Sequence, residues 1–305
     1  PAHTTLTLFN HPRVRSALGR RYHVAVQQHR TALPPLEDIG ARIVEGLERD
    51  GVFVTSLESL GLPGSGELVS TAARLAADFA PEAHARAADG HVFMIVPPGQ
   101  IVAHPWIYRW GLHDRLLDIA EAYIGLPPAF DGVTINYTVG DGREVATRMW
   151  HRDREDRRMI KIAIYLHDVG EDNGPFQVIS REDPRQNDSD GFCYDLNDQA
   201  SLARRLGESF AEDIVSCAGP TGTVVFCDTA RFFHRGKPFR GGDRAAIFYS
   251  YFARSPRHPF LCDRSGVRGK EVAALVQSLP ERQRRAALWR EELATMLKLI
   301  RPVRV

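Results

Sequence analysis

Apolar positions early in the chain recur at helical spacing. Leu36, Ile39, Ile43, Val44 and Leu47 share one helix face, and Gly51 follows where such a helix would stop. Val52 to Leu57 (VFVTSL) reads as a strand, Glu67 to Phe79 as a second amphipathic helix and Tyr108 to Tyr123 as a third. Residues 1 to 35 carry no clear period and predict no element. From Asp131 the texture changes to short runs of β-branched and aromatic residues separated by Gly, Asp and Asn: GVTINYT, EVATRMW, IKIAIYL, GPFQVIS, TGTVVFCD and RAAIFYSYF. These predict an antiparallel β region. Ser278, Pro280 and Glu281 then make a capping pattern, and Leu288, Leu293, Met296 and Leu297 carry a predicted terminal helix to Ile300. There is no internal repeat, and the order of helices, strands and a final helix predicts one β-sandwich or barrel wrapped by helices. We expect a single domain over 1–305, with a β core at about 131–255, N-terminal helices at about 36–124 and a C-terminal helix at about 279–300.

The polar, Pro/Asp/Asn-rich segment from Ser180 to Gln199 is too long for a hairpin turn, so it reads either as a functional loop or lid or as a surface insertion. With 305 residues, 43% hydrophobic and 25% charged, the composition excludes disorder, collagen and coiled coil. Lys and Arg number 39 against 38 Asp and Glu, a net +1, so no global field draws the chain to nucleic acid or to acidic lipid. The longest stretch free of Asp, Glu, Lys and Arg, Gly90 to Tyr108, is broken by Pro97, Pro98, Gly99 and Pro105 and predicts no membrane span. The opening PAHTTLTLFNHPRVRSALGRRY lacks the unbroken apolar core of a secretory signal, Pro1 fits removal of an initiator Met, and a cytoplasmic location is expected. Cys193, Cys217, Cys227 and Cys262 show no C-x-x-C spacing and read as buried reduced thiols.

Twelve histidines make metal chemistry the first test. One H-x-D match occurs, His151 and Asp153, and in a chain of this composition about one arises by chance. Context raises its weight. The pair follows the predicted strand EVATRMW, where side chains two apart leave one face and can touch one ion. A third ligand is available in His234 of FFHRGKPF, just beyond the strand TVVFCD and 81 residues after Asp153. Two imidazoles and a carboxylate form the facial triad of non-heme Fe(II) oxygenases, which leaves positions for co-substrate and dioxygen. Ten residues after His234, Arg244 opens RAAIFYSYF, and a guanidinium pointing into a barrel needs an anion such as the distal carboxylate of 2-oxoglutarate.

With these residues in hand, the chain resembles the phytanoyl-CoA dioxygenase family of Fe(II)/2-oxoglutarate oxygenases. That family places Trp directly before the H-x-D, as in MWHRD with Trp150, and follows it with a strand ending in an Asn-Gly turn, as in IKIAIYLHDVGEDNGPFQVI with Asn173 and Gly174. It then pairs an Asp-ended strand with the distal His and a later Arg, as in TVVFCDTARFFHRGKPFRGGDR with Asp228, His234 and Arg244. The match covers roughly Asp131 to Phe252, and the opening at Leu36 to Leu57 is similar too. The resemblance implies a double-stranded β-helix (jelly-roll, cupin-like) core with flanking helices. It also implies Fe(II) on His151, Asp153 and His234, and 2-oxoglutarate held by the metal and Arg244. The reaction it implies consumes dioxygen, gives succinate and carbon dioxide, and oxidises a small-molecule substrate, with hydroxylation the default and desaturation or rearrangement the variants. The chain departs from the family at ISRED (Ile179 to Asp183), where Pro-Gly-Ser-His is frequent, and at Arg152, where Gln is common, so the substrate side is expected to differ.

Several residues carry two readings each. Arg152, Arg154, Arg157 and Arg158, with Glu155 and Asp156 among them, form either a receptor for an anionic substrate or a self-paired loop. Asn136 either contacts the co-substrate or serves packing. His167 and Asp168 are adjacent on a strand end, point to opposite faces and read as structural. Two rivals to the oxygenase remain: a non-catalytic barrel that binds a small molecule or partner, and a zinc hydrolase on the same ligands, for which no motif supplies a general base.

Overall fold

The β-branched runs after Asp131 supply most of two antiparallel sheets, seen in a computed structural model that describes residues 2–183, 194–298 and 300. The strands are β1 (Val52–Ser56), β2 (Met94–Ile95), β3 (Pro128–Thr138), β4 (Ile160–Tyr165), β5 (Phe176–Ile179), β6 (Ile214–Cys217), β7 (Thr223–Cys227), β8 (His234–Gly236) and β9 (Arg244–Ala253). The larger sheet runs β1-β7-β4-β9-β3-β2 and the smaller β6-β5-β8. Strands from both sheets meet in one apolar cluster, among them Ala163, Tyr165 and Ala246 from the larger and Phe176, Val178 and Cys217 from the smaller. This is the jelly-roll core flanked by helices.

Period two in the large sheet sorts its side chains. Ile160, Ile162 and Ile164 of β4, Val133 and Ile135 of β3, and Ile247, Tyr249 and Tyr251 of β9 face the helices and join the main core. Each such aliphatic side chain stabilises the fold by about 1.5–3 kcal/mol on full burial. The alternate positions, Gly132, Thr134, Asn136 and Thr138 of β3, Lys161 of β4, and Arg244, Ala246, Phe248 and Ser250 of β9, line a cavity between the sheets. The cavity end of the inner face is therefore largely polar, beside the apolar inter-sheet cluster.

The elements depart from expectation at several places. Residues 1–35 contain two helices, Ala2–Asn10 and Pro12–His29; only Gly19 of the second is buried, so no apolar stripe announces it. The second predicted helix runs further, over Ser65–Ala88, through Pro81. The third is split into Pro105–Trp110 and Asp114–Ile124. There Tyr251 donates its hydroxyl hydrogen to the Gly111 carbonyl (2.6 Å), and a Cβ on Gly111 would lie 2.6 Å from the Tyr249 ring, so the chain must bend and pass close. The run EVATRMW is not a strand: Ala146 has φ +49° and a short 3-10 turn spans Ala146–Arg148, because the buried Arg148 turns in to bond Asp141. Strands β2, β6 and β8 were not anticipated; at two to four residues each they carry no readable alternation. The terminal helix breaks into Glu281–Ala287, Trp289–Glu292 and Thr295–Lys298, since Trp289 leaves the helix line to pack edge-on against Phe252 at 5.0 Å. Of the polar segment 180–199, residues 184–193 lie outside the described residues, as does Cys193; Cys217, Cys227 and Cys262 are buried free thiols. Among the described residues no helix is long and apolar enough to cross a membrane.

Candidate metal centre and cavity

The turn after β7 brings the site together. Asp228, fully buried, accepts the backbone N–H groups of Ala230 (3.0 Å) and Arg231 (3.1 Å) and the Tyr123 hydroxyl (2.6 Å). This carboxylate-capped turn carries the chain from the large sheet to the small one, which resumes at His234. His151 then pairs with His234 in a two-way backbone bridge, His151 N–H to His234 O at 3.1 Å and the reverse at 3.0 Å. The Asp153 N–H donates to Thr229 O at 2.7 Å, and Trp150 exchanges backbone bonds with Asn197 on its other side. The segment MWHRD is thus held by backbone pairing from both flanks, in place of the strand periodicity that predicted it.

His151, Asp153 and His234, all buried, have ligand atoms within 4.8 Å of one another. Each imidazole can donate Nδ1–H to a carbonyl, His151 to Met149 O (2.8 Å) and His234 to Phe232 O (3.3 Å), the tautomer that leaves Nε2 with its lone pair. His234 Nε2 is buried 3.8 Å from Asp153 Oδ2 with no hydrogen-bond partner among the described residues, and Phe176 stacks on its ring at 5.5 Å. Burial pushes both imidazoles toward the neutral form, His151 to about 4. Burial raises the Asp153 carboxyl, but the Arg264 and Lys161 cations more than reverse this and hold it well below the usual carboxylate range. Two neutral imidazoles and one ionised carboxylate are a donor set that suits a divalent transition-metal ion, so the residues fit the metal.

Lys161 and Arg264 are the site residues that sequence reasoning missed. Lys161 Nζ lies 2.6 Å from Asp153 Oδ2, and Arg264 Nη2 lies 2.7 Å from Oδ1. Arg264 also bonds the fully buried Glu155, and its backbone N–H reaches Asp131 at 3.3 Å. A lysine inside the otherwise apolar run IKIAIYL was a signal for the first; nothing local marked the second.

Arg244, 8% exposed, lines the same cavity of about 130 Å³ as His151, His234, Lys161 and Arg264. It donates to the Gly174 carbonyl and, at 3.4 Å, to the Thr138 hydroxyl, and among the described residues it meets no carboxylate. Gly174 must be glycine: φ is +69° and a Cβ would fall 2.0 Å from the Phe239 ring. Gly236 leaves room for the guanidinium, since a Cβ there would meet Nη2 at 2.6 Å. Asn136 also lines the cavity, and its Oδ1 is buried without a partner among the described residues.

The arginine run after His151 turns outward from this chemistry. Arg152 pairs with Asp183 (3.7 Å), Arg154 and Arg157 lie over the Tyr194 and Tyr22 rings, and Arg158 pairs with Glu48; none of the four lines the cavity. His167 Nε2 accepts the Ala245 N–H at 2.9 Å and Asp168 binds Thr221, so that pair is structural.

No family model matches the chain, and no curated protein matches it. Among solved structures it is similar to EctD from S. alaskensis, crystallised with 2-oxoglutarate and 5-hydroxyectoine, at 23% identity and TM-score 0.49 over 71% of this chain and 77% of that one. It is similar to the epimerase SnoN in complex with Fe3+, alpha ketoglutarate and nogalamycin RO, at 16% identity and TM-score 0.45 over 80% and 91%. HygX from Streptomyces hygroscopicus, with nickel, 2-oxoglutarate and hygromycin B bound, is similar at 15% identity and TM-score 0.43 over 70% and 86%.

Proposed function

We propose that the chain is an Fe(II)- and 2-oxoglutarate-dependent oxygenase acting on a small molecule, similar to the phytanoyl-CoA dioxygenase family in its motifs. The observation that carries this reading is the sharing of one cavity by two histidines of the triad and a buried guanidinium that no carboxylate of the described chain neutralises. His151, Asp153 and His234 would hold the iron. When bound, iron and keto acid together supply the oxidising chemistry, with dioxygen as oxidant and succinate and carbon dioxide as by-products.

The chain's own residues bind, orient and exclude water. Arg244, seated by Gly174 O, grips the distal carboxylate with charge-assisted bonds. Asn136 contacts the co-substrate from the adjacent strand, where its side chain, with Oδ1 unpartnered among the described residues, lies in the cavity wall. Phe176 stacks on the His234 ring, and with Phe93, Ile95, Ala246 and Phe248 it gives the cavity its apolar lining. Among the described lining residues there is no Asp or Glu to serve a zinc hydrolase as general base. With Asp153 filling its ligand position, hydroxylation, desaturation or rearrangement of the substrate is favoured over halogenation.

The test is spectroscopic. Anaerobic Fe(II) plus 2-oxoglutarate should give a weak charge-transfer band in the visible, because the keto acid chelates iron through two atoms. A protein that binds Fe(II) and 2-oxoglutarate without that band would refute the assignment.

A further inference from the structure

Both oxygens of Asp153 already carry a cation. Arg264 Nη2 is 2.7 Å from Oδ1, and Lys161 Nζ is 2.6 Å from Oδ2, the oxygen that lies 3.8 Å from His234 Nε2. The two cations are held differently. Arg264 is pinned by a second carboxylate, Glu155, and through its backbone by Asp131. Lys161 makes its one ion pair among the described residues with Asp153, carries its charge on a flexible four-carbon stem, and borders the cavity.

We propose that Lys161 is the resident counter-ion of the metal-free triad. Its ammonium stands on Asp153 Oδ2 in the place of a divalent cation, keeps the carboxylate turned toward the two histidines, and leaves that oxygen for the cavity when the metal binds. The inference rests on the triad being a metal site. A dication arriving beside Oδ2 meets a like charge at contact distance in a poorly hydrated setting, where repulsion is strong. Arg264 cannot yield without uncovering Glu155, whereas Lys161 can swing on its stem into open space. Lys161 therefore stabilises the metal-free protein and weakens its hold on the metal.

The test is a Mn(II) titration of the full chain, following free Mn(II) by electron paramagnetic resonance, for native protein, Lys161→Met, Lys161→Gln and His234→Ala. Lys161→Met should bind Mn(II) roughly 10- to 100-fold more tightly than native, with Lys161→Gln between them. Metal-free Lys161→Met should melt below native, and Mn(II) should close that gap. His234→Ala should lose Mn(II) binding; native-like binding by that variant would remove the triad as the metal site, and the proposal with it. With His234→Ala inactive in binding, equal or weaker affinity in both Lys161 variants overturns the counter-ion role and leaves the triad standing. Should Lys161→Met not fold, Lys161→Gln, which keeps a donor for Oδ2 without its charge, decides alone. A crystal structure of the Mn(II)-loaded native chain with Nζ still 2.6 Å from Oδ2 would overturn the displacement as well.

Discussion

Asp153 and Arg244 are both buried charges beside one cavity, and they differ in where the opposite charge comes from. Asp153 meets Lys161 and Arg264, so its countercharge is written into the chain. Arg244 meets a carbonyl and a hydroxyl, with Phe239 beneath it at 6.0 Å, and burial depresses its basicity with no carboxylate among the described residues to restore it. A buried cation without an anion is costly, which is why we propose that the Arg244 end takes up an external carboxylate. The Asp153 end keeps its shape before any ligand arrives. One end is a frame and the other a receptor.

The largest expected effect tests the frame's purpose. His234→Ala should abolish the visible charge-transfer band, because two protein ligands do not hold the metal against water; full iron binding by that variant would name the wrong third ligand. Next comes stability. Arg264→Met strips Asp153 and Glu155 of their shared cation and should lower unfolding free energy by about 3–5 kcal/mol in a denaturant titration, while Arg244→Met should cost less than about 1 kcal/mol or stabilise. Equal losses would erase the distinction between the two ends.

The receptor is read by ligand demand. Arg244→Ala should raise the 2-oxoglutarate requirement by about two orders of magnitude, roughly 3 kcal/mol, with iron affinity nearly unchanged, and Lys should not rescue it. An unchanged requirement would move the co-substrate elsewhere. Gly174→Ala forces a side chain at φ +69° against Phe239 and should cost about 1–2 kcal/mol of stability while raising the same requirement less than Arg244→Ala does. The smallest effect is a null: native protein in high chloride should yield no chlorinated product in a mass spectrum, since Asp153 occupies the position chloride would need. A chlorine isotope pattern would mean that Asp153 leaves the metal despite its clamp.

Reading the chain in one dimension worked where the signal is local. Period two within β3, β4 and β9 set which residues face inward; of the residues singled out by spacing, His151, Asp153 and His234 have ligand atoms within 4.8 Å of one another, and His151, His234 and Arg244 line one cavity. The same logic failed for EVATRMW, whose alternation is overridden by Arg148 reaching Asp141, and for Tyr108 to Tyr123, interrupted at Gly111, whose carbonyl takes the hydroxyl of Tyr251 140 residues away.

What the sequence alone determined is the set of chemical groups and the face each takes along its own strand, because side-chain direction depends on neighbours one and two positions away. What only the tertiary structure decided is which charges meet. Arg264 lies 111 residues from Asp153 and reaches it from a loop after β9, and Lys161 reaches it because β4 sits between β7 and β9. Buried charges demand partners, but the demand names no address; the crossing of strands and the return of a loop supply it.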